Sequence, residues 1–321
     1  MIVGCTKYSD KPKGETSTSG LTTIACDNTF ENIIQDEIDV FEFVYPDVNI
    51  LADYTNETAC FDSLLNLKIK TIVVSRDLTA DEVKYLKNQK KRPKSKQIAV
   101  DAIALIVNND NPNEILSTEE ISEILTGRIT NWNEISPAYS GEIQVIFDHA
   151  GSSTVNYLKN KLTSGEPFNG KIYTVSEDTL QGSCEKVIDA VKSRKGALGI
   201  IGVSWLTRDL NGKNVSVEEK AEMSVANDTI MLSSTNDEFT PEIKVLKVRE
   251  MNKLQAYKPF QEDIYNGDYP FYRSIYMITT GEGGMPSHGF FSFVTGVQGQ
   301  KIMLRTGVLP AIIHTKNVEL Q

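Results

Sequence analysis

QVIFDHAGSSTVNYLKNKL, residues 144–162, decides the fold. Val145, Ile146 and Phe147 are a short apolar run that reads as a buried strand. Asp148, His149, Ala150, Gly151, Ser152, Ser153 and Thr154 then form a small, hydroxyl-rich turn. Val155, Leu158 and Leu162 follow at i, i+3 and i+7, the spacing of a helix face. A strand that hands over to a helix through such a turn is the building unit of an α/β sheet. The start of that helix offers unpaired N–H groups and the positive end of the helix dipole, to which Ser152, Ser153 and Thr154 add hydroxyls.

Working outward, the same alternation continues in both directions. LTTIA (21–25) reads as a strand, and Phe30, Ile33, Ile34, Ile38 and Phe41 form the apolar stripe of a helix that ends at Tyr45-Pro46. VNILA (48–52) and KTIVVS (70–75) read as strands, with FDSLLNL (61–67) as a short helix between them. Thr79 with Glu82, and Ser117 with Glu120, have the spacing of helix capping boxes. QIAVDAIALIVN (97–108) is too long for an average strand and suits one that runs from one lobe into another. GSCEKVIDAVKS (182–193) is a helix, GALGIIGVSWL (196–206) a glycine-rich strand, YPFYRSIYMIT (269–279) a strand, and GFFSFVTGVQGQKIMLRTG (289–307) helical. Residues 207–268 show no clear period.

The chain has 321 residues, 40% hydrophobic and 24% charged, with no apolar run of about 18 residues. A net charge of −10 argues against nucleic acid as a partner, since phosphate backbones are held by basic faces. The basic stretch KNQKKRPKSK (87–96) reads as a solvated helix end and loop. His149, His288 and His314 are scattered without metal-ligand spacing and read as surface residues, so no metal and no cofactor are expected. The turn at Ser153 lacks Gly-x-Ser-x-Gly, and His149 in the same turn is a poor base, so no enzyme is expected.

Of four cysteines, Cys26, Cys60 and Cys184 read as buried apolar residues. Cys5 follows Ile2-Val3-Gly4 and precedes TKYSDKPKGETSTSG, a polar stretch without periodicity. That pairing looks like a bacterial lipobox with its tether. It makes Cys5 the lipid attachment site, residues 1–20 the lipoprotein N-terminus, and the lipid anchor the sole contact with the membrane.

The order of motifs carries a resemblance. YPDVNI, VSRDLTADE, LSTEEISEILTGRITNWNEI with its Leu125-x-Gly127-x-Ile129-x-Asn131-Trp132 core, GSSTVNYL, GALGIIGVSWL, YPFYRSIYMIT and VQGQKIMLRTGVLP occur in sequence. Together they resemble the periplasmic phosphate-binding protein family, the substrate-binding lipoproteins of phosphate ABC transporters, from about residue 21 onward. The resemblance implies a two-lobed type II periplasmic binding protein fold, α/β in class. Each lobe would be a mostly parallel sheet flanked by helices, with the ligand in the cleft between lobes. Lobe one would be 21–103 plus 271–321 and lobe two 104–270, with crossings near 101–107 and 267–275. It also implies a monomer, outside the cytoplasm, that passes inorganic phosphate or a similar small anion to an ABC transporter permease.

Carried over by position, Ser152 and Thr154 match the family's phosphate-binding turn, with Ser153 beside them, and Thr29 and Phe30 match its first one. Ser75 matches the position where some members place an Asp that accepts the ligand's proton. Asp148 stands where the family has an Arg, and TNETA (55–59), with Glu57 and Thr58, replaces a Gly-Ser-Gly turn. Asp27 lies just ahead of Thr29. The expected cleft thus loses a guanidinium and gains carboxylates. Arg76 restores a positive charge where its side chain turns inward. The function expected is phosphate capture. The alternative is a lipoprotein of the same fold with another ligand or a sensor or scaffold role.

Overall fold

Ten strands assemble one continuous sheet, and its middle strand belongs to two neighbourhoods at once. The computed structural model describes residues 14–165, 167–175, 182–207, 215–226, 230–232, 239–281, 283–312 and 318–319. Cys5, most of the tether and His314 lie outside the described residues.

The first stretch runs β1 (Gly20–Asp27), α1 (Glu31–Val44), β2 (Val48–Thr55), α2 (Glu57–Leu65), β3 (Thr71–Val74), α3 (Ala80–Asn88) and β4 (Lys94–Val107). The second runs β5 (Ile115–Ser117), α4 (Thr118–Leu125), β6 (Gln144–Phe147), α5 (Ser153–Leu162), β7 (Ile172–Thr174), α6 (Ser183–Ser193), β8 (Ala197–Gly202), α7 (Val217–Val225) and β9 (Ile230–Met231). The third runs β10 (Lys244–Val245), β11 (Lys247–Arg249), β12 (Ala256–Tyr257), α8 (Gln261–Tyr265), β13 (Tyr272–Thr279), α9 (Pro286–Val294), α10 (Val297–Arg305), β14 (Leu309–Pro310) and β15 (Val318–Glu319).

The sheet order is β2-β1-β3-β13-β4-β8-β6-β7, with β10 and β14 also on β4. At each end three strands are parallel, as alternating strands and helices require. The strands between them run antiparallel: β13 on β3 and β4, and β8 on β4. Residues 94–102 of β4 pair with β13, whereas Ile103–Val107 pair with β8. The 14-residue strand therefore belongs to both halves of the sheet, and its last seven residues are buried or nearly so on both faces.

Helix starts follow the local sequence. Thr79–Glu82 and Ser117–Glu120 both form complete capping boxes, satisfying N–H groups that the first helical turn leaves free. α1 buries Ile33, Ile34, Ile38, Val40 and Phe41, and the Phe41 ring meets Tyr45, Phe290 and Phe293 at 5.0–5.5 Å between centroids. Each such side chain contributes roughly 1.5–3 kcal/mol by leaving water.

The stretch 289–307 is helical as expected and divides into α9 and α10 at Thr295-Gly296, where Gly296 takes an extended backbone and starts the second helix. One local expectation is corrected. TNETA is not a turn in front of α2. Asn56 caps the helix by accepting from Ala59 N–H, and Glu57 lies in its first turn.

Candidate functional site

The register of β13 against β4 places Arg273 directly opposite Asp101, at the point where β4 changes partners. Both side chains are almost fully buried, at 2% and 1% exposure. Arg273 donates to Asp101 Oδ2 through Nε and Nη2, at 3.2 and 3.1 Å. Its other contacts reach both halves of the molecule. Nη1 donates to Ser153 Oγ at the start of α5 (2.7 Å), and Nη2 to Thr29 Oγ1 ahead of α1 (3.3 Å). The guanidinium carbon lies 4.8 Å from the centre of the Phe30 ring, in cation–π contact. Gly202, on the neighbouring strand, leaves room for this pair: a Cβ there would come 3.1 Å from Asp101 Oδ2.

Around this centre the turns after β1 and β6 face each other. Thr29 Oγ1 and Ser153 Oγ lie 3.1 Å apart. Asp27 Oδ1 accepts the Thr29 N–H at 3.0 Å and the Thr29 hydroxyl at 2.8 Å, while its Oδ2 makes no hydrogen bond. Asn28 donates to Ser183 Oγ at 2.9 Å, and its amide oxygen accepts from His149 Nε2 at 2.7 Å. Trp205 Nε1 donates to the Thr29 carbonyl at 2.9 Å, and Gly182 N–H to Glu31 Oε2 at 3.1 Å.

Burial pushes the Asp27 carboxyl above its ordinary range. The Arg273 charge, the Thr29 N–H and the hydroxyls of Thr29 and Ser153 pull it back. Asp101 is pushed up by burial in the same way and pulled back by Arg273. Burial is also the main reason that the thiols of Cys26, Cys60 and Cys184 are raised, as expected of buried apolar cysteines rather than reactive ones.

Of the residues singled out in the sequence, Thr29, Phe30 and Ser153 meet at Arg273. Ser152 instead caps α5 by accepting from Thr154 N–H, and both are buried. Asp148 is buried, 3.5 Å from His149 Nε2 and 3.8 Å from Cys184 Sγ, with Oδ1 making no hydrogen bond. His149 is 5% exposed, which corrects its reading as a surface residue; the turn folds it inward onto Asn28. Ser75 is held by Glu57, whose Oε1 accepts from the Ser75 N–H and hydroxyl at 2.8 and 2.7 Å. Glu57 therefore caps the end of β3.

Arg76 does not turn inward. It forms a two-pronged pair with Glu82, at 2.9 Å for each contact, and lies over the Phe61 ring at 3.5 Å with its side chain 43% exposed. The cation at the centre, Arg273, was missed. Its available signal was an arginine as the lone charged residue of YPFYRSIYMIT. Among the described residues, no group of three or more His, Cys, Asp or Glu is placed to hold a metal ion. No helix there is long and apolar enough to cross a membrane.

Residues 11–296 match the family model of the PBP superfamily domain, and the chain belongs to that superfamily. Among curated proteins it is similar to the phosphate-binding protein PstS of Bacillus subtilis strain 168. The two are 25% identical over 201 residues, 63% of each chain. It is 26% identical over 117 residues to PstS 2 of Streptococcus pneumoniae TIGR4, covering 36% of this chain and 38% of that one. The matched part thus spans less than two thirds of either relative. Solved structures agree on the two-lobed fold. A phosphate-bound putative phosphate ABC transporter substrate-binding protein from Clostridium perfringens superposes with a TM-score of 0.65 at 19% identity, over 91% of this chain and 100% of that one. An ABC-type phosphate transport receptor from Vibrio cholerae gives 0.60 at 16% identity, over 91% and 100%.

Proposed function

We propose that the chain is an extracytoplasmic solute-binding lipoprotein, anchored through Cys5, that captures inorganic phosphate for an ABC transporter permease. In this reading its lobes are residues 21–103 plus 271–321 and residues 104–270, and they close on the ligand as binding proteins do. The observation that carries it is Arg273. Its guanidinium donates to the hydroxyls of both Thr29 and Ser153, each at the N-terminal approach to a helical segment from a different part of the chain. Fixed hydroxyl, N–H and guanidinium donors on several sides are what a small oxyanion requires. The relatives are named phosphate-binding proteins, which supports the same ligand class.

A second reading draws on the same site. Asp101 and Asp27 are both buried beside this one guanidinium, and Asp148 is buried in the facing turn after β6, an excess of negative charge that disfavours a divalent anion. This favours a lipoprotein of the same fold with a different ligand or a sensor or scaffold role. Thermal unfolding in sodium phosphate, sodium sulfate and neutral or cationic solutes separates the two. A ligand at 100 times its dissociation constant adds about 2.7 kcal/mol of stability. Stabilisation by phosphate that disappears in Ser153→Ala supports phosphate capture. No shift with phosphate, alongside a shift with another solute, replaces it with the second reading.

A further inference from the structure

The donors of the short helical turn Asn28–Phe30, just ahead of α1, already converge on an acceptor, and that acceptor belongs to the chain itself. Asp27 Oδ1 takes the Thr29 N–H and the Thr29 hydroxyl, at 3.0 and 2.8 Å. Ser153, from the facing turn, also bears on this carboxylate, and the charge of Arg273, itself paired with Asp101, acts on it. Asp27 is fully buried, and its Oδ2 makes no hydrogen bond. A free oxyanion held by Thr29, Ser153 and Arg273 would compete with Asp27 for the Thr29 N–H and hydroxyl.

We propose that Asp27 is a tethered occupant of the anion seat, a carboxylate of the protein itself that takes the place of a ligand and closes the cleft without one. The proposal rests on the phosphate reading above and deepens it. Closure around Asp27 runs along the start of α1. Thr29 meets Ser153, Asn28 meets Ser183 and His149, and Glu31 meets the Gly182 N–H. In a ligand-dependent binding protein such contacts form as the ligand bridges the lobes; here the bridge is covalently part of β1. Inorganic phosphate then binds by displacing the Asp27 carboxylate from the Thr29 N–H, so capture is weak until that carboxylate is removed or neutralised. An ordinary helix-capping aspartate would not behave this way, because a neutral side chain that keeps the cap would leave phosphate affinity unaltered.

The test is titration calorimetry of the full chain with sodium phosphate, using wild type, Asp27→Asn and Asp27→Ala. Asp27→Asn keeps an acceptor for the cap and drops the charge; Asp27→Ala empties the seat. Both are expected to bind phosphate at least tenfold more tightly than wild type, and adding Ser153→Ala should cancel the gain. Small-angle scattering in the absence of phosphate should show wild type more contracted than Asp27→Ala. If both variants melt cooperatively and bind phosphate within twofold of wild type, the tethered-carboxylate proposal is overturned. In that case, wild-type binding that weakens in Ser153→Ala leaves the phosphate reading standing; absence of binding in every protein removes both. Should Asp27→Ala fail to fold, Asp27→Asn alone carries the same decision.

Discussion

Two arginines divide the molecule's electrostatics between them. Arg273 lies in the middle of a sheet, 2% exposed, bonded to Asp101, Ser153 and Thr29. Arg76 lies at the end of β3, 43% exposed, paired with Glu82 and laid over Phe61. In isolation each is a guanidinium against a carboxylate at about 3 Å. Water makes the difference. An exposed pair exchanges good hydration for a modest attraction, whereas a buried charge left without its partner has nothing to replace the lost hydration. A cation able to organise a ligand site is one the fold has already desolvated and aimed. Lys220 with Asp36, 12% and 9% exposed, lies between the two cases.

The buried pair carries the largest expected effect. Arg273→Met leaves Asp101 buried and uncompensated and should lower unfolding stability by about 3–5 kcal/mol, read from urea midpoints. Arg273→Met with Asp101→Leu should recover much of that loss, because an apolar pair of similar volume is often neutral. Phosphate binding should nevertheless stay lost in the double variant. A double variant that is folded and still binds phosphate would show that Arg273 serves the fold alone.

The intermediate pair should announce itself through pH. Burial pushes the Asp36 carboxyl up to about 6, with Lys220 pulling it back. The folded chain therefore holds this proton more tightly than the unfolded chain. The contribution to stability is greatest below the ordinary carboxylate range and declines as pH rises to about 6, then levels off. The rise from the ordinary carboxylate value to about 6 corresponds to on the order of 3 kcal/mol. Glu37, next in the helix, is pushed up by burial and further by Asp36, so it adds to the same descent. Asp36→Asn should flatten the curve between pH 4 and 6.5. An identical slope in both proteins would show that Lys220 fully compensates the burial.

Which of these regions could be read from the sequence follows from the range of the forces. Capping boxes at Thr79 and Ser117 and the strand–turn–helix at 144–162 depend on neighbours three or four residues away, and the structure contains them. Arg273 meets Ser153 across 120 residues and Thr29 across 244, so only the register of β13 on β4 brings them together. Read from the sequence, Arg76 supplies a cleft cation only where its side chain turns inward; in the structure it is committed to Glu82 and Phe61. His149 illustrates the same limit. Its inward turn depends on Asn28, 121 residues away, which no local pattern encodes. The helical reading of 289–307 is local, as the capping boxes are, and holds, while the division into α9 and α10 at Gly296 is a detail it does not specify.

The smallest effect is expected at Arg76, and it sharpens the comparison most directly. Its two hydrogen bonds to Glu82 have good geometry, yet Glu82 is also held by Thr79 in the capping box and keeps partners when the arginine goes. Burial at the site is partial, so solvent screens the pair. Arg76→Ala should cost about 0.2–1 kcal/mol from the ion pair, with a further contribution of about 0.5–1 from the stack on Phe61. Urea unfolding at low salt and at 1 M sodium chloride should show the ion-pair part shrinking while the stacking part persists. Phosphate affinity should not change, because the Arg76 guanidinium is committed to Glu82 and Phe61 rather than to the Thr29–Ser153 centre. If Arg76→Ala instead weakens phosphate binding more than Arg273→Met with Asp101→Leu does, the roles assigned to the two arginines are reversed. The exposed one would then be the cation that moves to meet the ligand.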